Sequence, residues 1–132
     1  MTVNPKHLNV KSGSEAKLTD VQITGAFGLP IQVVSADGAI TVRSGVVHIT
    51  KGSAAAMTLA APTATTSETF VLFIRSGTAY AHTLTVAGGI GGVGAGADVG
   101  TFGAAAENGI TLYSYNGAWW IVPGSNVNVT FA

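Results

Sequence analysis

The side chains of this chain best suited to moving protons near neutral pH are three histidines, His7, His48 and His82. His48 and His82 lie in runs that alternate apolar with polar residues, so each would project from one face of a strand. Two of them meeting across a sheet, or around a symmetry axis, could hold a metal through neutral imidazole. Yet no H-x-H or H-E-x-x-H spacing is present, and no histidine stands near clustered carboxylates. Ser76, His82 and Asp98 supply the residue types of a nucleophilic triad without a G-x-S-x-G elbow to position the serine. The six carboxylates are dispersed, with no pair spaced for acid and base roles, and the chain has no cysteine. Gly89-Ile90-Gly91-Gly92-Val93-Gly94 is a literal G-x-G-x-x-G, which in a βαβ unit would seat a pyrophosphate at a helix N-terminus. The following Ala95-Gly96-Ala97-Asp98-Val99-Gly100 cannot sustain a helix, so a glycine loop is expected. The expectation is a chain that is not an enzyme and takes no metal or cofactor.

Aromatic residues gather at Tyr113, Tyr115, Trp119 and Trp120 on either side of Asn116-Gly117. Neighbours in a strand point to opposite faces, so one tryptophan belongs in the core and the other outside. The outward ring could fill a subunit interface or stack on a sugar, and core or interface is the favoured reading. Asn128-Val129-Thr130 matches a glycosylation acceptor, read as chance because no secretory signal is seen.

These residues need strands to carry them. From Ala39 onward, AITVR, VVHIT and AMTLAA alternate apolar with polar residues and are separated by Ser44-Gly45 and Gly52-Ser53. Further runs are TFVLFIR (Thr69 to Arg75), HTLTV (His82 to Val86), ITLYSY (Ile110 to Tyr115), WWIV (Trp119 to Val122) and NVNVTF (Asn126 to Phe131). Asn116-Gly117 between two such runs predicts a type I′ hairpin. Ser53 to Leu59 is alanine-rich, but Thr58 and Pro62 favour strand and turn over helix. Gly88 to Gly103 is too rich in glycine for a packed strand and reads as an extended loop, and no repeat of 20 to 50 residues is convincing. The predicted fold is all-β: a small antiparallel sandwich, jelly roll or barrel-like domain over residues 29–132, its short strands joined by tight turns. Residues 1–28 read as an extended N-terminal arm, because they hold five of the twelve charged side chains, Lys6, Lys11, Glu15, Lys17 and Asp20.

Composition narrows the class of function. The 132 residues amount to one domain, with six Lys+Arg balancing six Asp+Glu for a net charge of +0. Phosphate binding needs a surplus of Lys and Arg on one face, so no nucleic-acid partner is expected. Apolar runs fall short of the roughly 20 residues of a spanning helix, and MTVNPKHLNVKSG lacks an apolar signal core. No membrane partner is expected, and synthesis in the cytoplasm is. Only 9% of residues are charged, against about 25% in ordinary globular chains, while mean hydropathy is +0.44. That combination marks a surface meant to be covered by another subunit.

GVVHITKGSAAAMTLAAPT (Gly45 to Thr63), RSGTAYAHTLTVAGG (Arg75 to Gly89), TFGAAAENGITLYSYNGAWWIV (Thr101 to Val122) and the closing NVNVTFA resemble small β-rich structural proteins of tailed bacteriophages. These are capsid decoration (cement) and head-fibre proteins. The resemblance covers roughly Ala39 to Ala132 and leaves out the N-terminal arm. It implies a homotrimer on the outer surface of a phage head, bound to the major capsid protein, with the N-terminal segment touching the capsid and the virion as its location. Lys6, Lys11 and Lys17 are then the capsid-docking candidates. The alternative is a host-facing fibre or adhesin module that binds cell-surface glycan through Trp119 or Trp120.

Overall fold

The computed structural model describes residues 25–94 and 96–132, and these form two facing sheets with no helix. The strands are β1 (Ile31–Val34), β2 (Gly38–Ile40), β3 (Gly45–Ile49), β4 (Ala56–Leu59), β5 (Val71–Ser76), β6 (Thr83–Val86), β7 (Ile90–Gly91), β8 (Val99–Phe102), β9 (Gly109–Tyr115), β10 (Ala118–Ile121) and β11 (Val129–Phe131). Sheet A runs β1-β3-β5-β9-β10-β7 and sheet B runs β11-β8-β6-β4-β2. Neither closes into a barrel, and the all-β class holds.

The route of the chain differs from the expected antiparallel order. From β1 to β9 it crosses from one sheet to the other at every step; among β1 to β6 the strands that are neighbours in space are two apart in sequence, whereas β7 pairs parallel with β10. β1, β3 and β5 are consequently parallel, as are β2, β4 and β6. The first six strands are three stacked coils, each giving one strand to each sheet. Antiparallel pairing enters only with β9, β10, β8 and β11. Crossing between sheets needs only a bend, whereas a hairpin would leave successive strands side by side in one sheet.

The alternating sequence sets the burial. In β3 Val47 and Ile49 point inward, in β5 Leu72 and Ile74, in β9 Ile110 and Leu112, and they meet Met57, Leu59, Leu84, Val86 and Phe102 from sheet B. At about 25 cal/mol per Å² of apolar surface, this one interlocking layer is the main source of stability.

The Asn116-Gly117 hairpin is formed: Tyr115 pairs with Ala118, and both turn residues have positive φ, 47° and 80°. The segment Gly88 to Gly103 departs from the loop expectation, because it contains β7 and β8. Gly100 makes β8 possible as an inner strand, since a Cβ there would lie 2.7 Å from the Phe131 ring that covers it. Its hydrogen atom marks a close approach rather than a loop.

Candidate functional site

The expected catalytic groups do not come together. Ser76 and His82 are buried at one end of the sandwich. Asp98 is exposed at the opposite end of the β6–β8 pairing, where its carbonyl accepts from Val86 N–H. Ser76 Oγ donates to the Thr78 carbonyl at 2.5 Å and not to an imidazole. Among the described residues no three His, Cys, Asp or Glu side chains lie close enough to hold a metal. The glycine motif opens no helix. Its Gly91 lies in β7, where a Cβ would meet the Trp120 indole at 2.4 Å. The glycine is there for an aromatic ring.

His82 has a structural task. Its Nδ1 accepts the buried Ala55 N–H at 3.0 Å, which places its proton on Nε2, 3.1 Å from Thr78 Oγ1. Thr78 Oγ1 in turn donates to the Lys51 carbonyl, and Lys51 Nζ donates to Asp37 Oδ1 at 2.6 Å. The turns after β1, β3 and β5 are thereby fastened one to the next along the stack. Burial holds the His82 pKa below its ordinary 6.5, with a hydrogen bond to the Thr78 backbone opposing and the Lys51 charge assisting. Asp37 lies below its ordinary 3.8 because Lys51 Nζ and the Ala56 N–H donate to its carboxylate.

The two tryptophans divide as alternation requires. Trp119 is 3% exposed and sends its Nε1–H to the Ala60 carbonyl at 2.9 Å, tying sheet A to the end of β4. Its ring is thus buried in the core and presents no face on which a sugar or a second subunit could stack. Trp120 lies on the outer side of sheet A over Gly91 and Gly92, opposite Tyr113, with its own Nε1 buried and unpartnered. Tyr115 follows Tyr113 on that side and is exposed. Lys6, Lys11 and Lys17 fall outside the described residues.

The outer faces of the two sheets differ in chemistry. On sheet A the outward residues are Ile31 and Val33 of β1, Val46 and His48 of β3, Val71, Phe73 and Arg75 of β5, Gly109, Thr111, Tyr113 and Tyr115 of β9, and Ala118 and Trp120 of β10. Ile31 is 62% exposed and Phe73 43%. The one charged strand residue there, Arg75, is paired with Glu107 at the margin. Phe73 itself lines a shallow depression of about 250 Å³, together with Val46, Thr111, Val127 and the Arg75–Glu107 pair. On sheet B the outward residues are mostly small and hydroxylated: Ala39, Ala56, Thr58, Thr83, Thr85, Thr101 and Thr130, with Val99 of β8 among them. The first face carries more large apolar side chains than the second.

A cleft of about 450 Å³ opens between the connections that follow β2 and β4, lined by Ile40, Val42, Leu59, Pro62 and Trp119. Arg43 crosses its rim, 4.6 Å above the Phe70 ring and bonded to Thr63 Oγ1 at 3.0 Å. The alternating pattern marks which residues of a strand face outward. That the outward side of sheet A gathers the large apolar ones depends on which strands become neighbours, and the parallel order was not expected. No protein family, curated protein or solved structure matches this chain.

Proposed function

We propose that this chain is a structural protein of a bacteriophage virion, a capsid decoration or head-fibre protein that binds the outer surface of the head as a homotrimer. The observation that carries the reading is the outer face of sheet A, whose Ile31, Val33, Phe73 and Tyr115 are exposed among the described residues, in a chain with 9% charged residues. A sheet apolar on both sides is the hallmark of a subunit, because water contact with Ile31, Val33, Phe73 and Tyr115 is unfavourable until a second surface covers them. The phage assignment rests on the resemblance of the Gly45–Thr63, Arg75–Gly89 and Thr101–Val122 stretches to virion proteins. The docking segment in this reading is residues 1–28, with Lys6, Lys11 and Lys17, and the β domain supplies the oligomer.

The experiment is to mix the purified chain with phage heads that lack it and to probe a glycan array with the same material. A virion protein of this kind saturates the heads and leaves the array blank. Binding to sugars without binding to heads would favour the adhesin alternative, with Trp120 and Tyr115 as the stacking rings in place of the buried Trp119.

A further inference from the structure

The geometry points to a chemical modification site in the β9–β10 hairpin: Asn116 loses its side-chain amide to its own backbone, giving aspartate and isoaspartate, while the other Asn-Gly pair, Asn108-Gly109, is held against the same reaction. This chemistry belongs to the chain itself and does not depend on the virion reading.

The step consumes only water. The backbone nitrogen of Gly117 gives up its proton and bonds to Cγ of Asn116, the Cγ–Nδ2 bond breaks, and Nδ2 leaves as ammonia with that proton. A five-membered succinimide remains. Water adding at Cγ opens the ring to aspartate, and water adding at the main-chain carbonyl carbon of residue 116 opens it to isoaspartate, in which the chain runs through Cβ and Cγ.

The attacking nitrogen must be uncrowded and free. Four asparagines lie among the described residues, and the β-branched Val127 and Val129 crowd the nitrogens that follow Asn126 and Asn128. Glycine follows the other two and has no Cβ. Asn116 is exposed at the tip of the hairpin, and no described carbonyl accepts the Gly117 N–H. Bringing that nitrogen to Cγ takes rotation of the Asn116 backbone, for which only the terminal Tyr115–Ala118 pair has to part. Asn108 meets the opposite conditions. It is 5% exposed, its Nδ2 donates to the Gly103 carbonyl at 2.6 Å, its carbonyl accepts the Ser76 N–H at 2.8 Å, and the Gly109 N–H is taken by the Val127 carbonyl at 3.1 Å. Reaction there has to break into the β5–β9 pairing.

Isoaspartate adds a methylene to the main chain of a two-residue turn, which shifts Tyr115 and Ala118 out of register. Both tryptophans follow directly in β10, Trp119 in the core and Trp120 on Gly91, so the loosening reaches them.

The test is to age the full chain in mildly alkaline buffer, folded and in urea, and to locate the products by peptide mass spectrometry with isoaspartate methyltransferase labelling. In the fold Asn116 should convert on the order of 10²-fold or more faster than Asn108, the difference between a fraying end and a buried pairing. In urea the two rates should converge. Equal rates in the fold, or an Asn116 that stays intact there while the urea-unfolded chain reacts, overturns the inference. Asn116→Asp carries the new charge on an unaltered main chain and should keep the parent's tryptophan emission, whereas the isoaspartate fraction should be shifted to the red. An isoaspartate fraction with the parent's emission overturns the effect on the hairpin.

Discussion

Replacing His82 with alanine should unfold this protein more readily than any change at its surface. The imidazole is wholly buried between Tyr80 and Phe102, whose rings stand edge-on to it at 6.3 and 6.4 Å. Its removal leaves a hole where large-to-alanine changes cost about 2–5 kcal/mol. It also strands the N–H of Ala55, a residue 1% exposed and out of reach of water, and such an orphan alone costs about 1–3 kcal/mol. The terms overlap, so a total of about 3–5 kcal/mol is expected. For a chain of this size that corresponds to a fall in Tm of about 10–20 °C. Thermal and urea denaturation, at equal protein concentration for parent and variant, read it directly.

Acid offers the second half of the same test. With its native pKa held below 6.5, His82 stays neutral in the fold while the unfolded chain takes up a proton. Its contribution is complete above pH 6.5, declines as pH falls below that value towards the lowered native pKa, and is flat beyond. His82→Ala should lack this decline. A variant within about 1 kcal/mol of the parent, or one with the parent's full loss between pH 6.5 and the acid limit, would refute the role given to this histidine.

Asp37 is lowered from 3.8 by Lys51 and the Ala56 N–H, so its contribution is present above pH 3.8 and fades as pH falls below it; Asp37→Asn should remove that late acid loss in a pH titration of stability. Gly117→Val places a β-branched residue at φ 80° and its Cβ 3.3 Å from Ala64, costing about 1–2 kcal/mol or more, which a denaturation midpoint will show. Gly91→Ala puts a methyl group 2.4 Å from the Trp120 ring, so the indole must leave its seat; a red-shifted tryptophan emission and a loss of about 1–3 kcal/mol are expected. On the proposed virion reading, a chain beginning at Leu29 should remain trimeric and lose most head binding, because three such segments on one trimer would raise affinity about 10²-fold or more by avidity.

Legibility in the sequence was uneven for physical reasons. Alternation in GVVHI, VLFIRS and GITLYSY marks strands and says which side of each is buried, because inward and outward positions differ by one residue. Asn116-Gly117 marks its turn because few other residues adopt two successive positive φ values. Pairing order carries no such mark. Val47 in a parallel stack and Val47 in a hairpin have the same pattern, since either partner buries it equally well. The coil repeat is hidden for a related cause. Ile31 pairs with Val46, 15 residues on, but Val46 pairs with Phe73, 27 residues on, so no fixed period runs through the chain. β8 was obscured by Gly100, whose empty side is filled by Phe131 from the far end of the chain. His82 attracts catalytic readings because burial and hydrogen bonding, which decide its task, come from Ala55 and Thr78 across two turns.

The most direct measurement is a density map of a phage head decorated with this chain, at a resolution that separates strands. The account predicts threefold density on the outer shell, one β sandwich at each of three positions around the axis. Density for isolated single copies, or an undecorated shell, would contradict it.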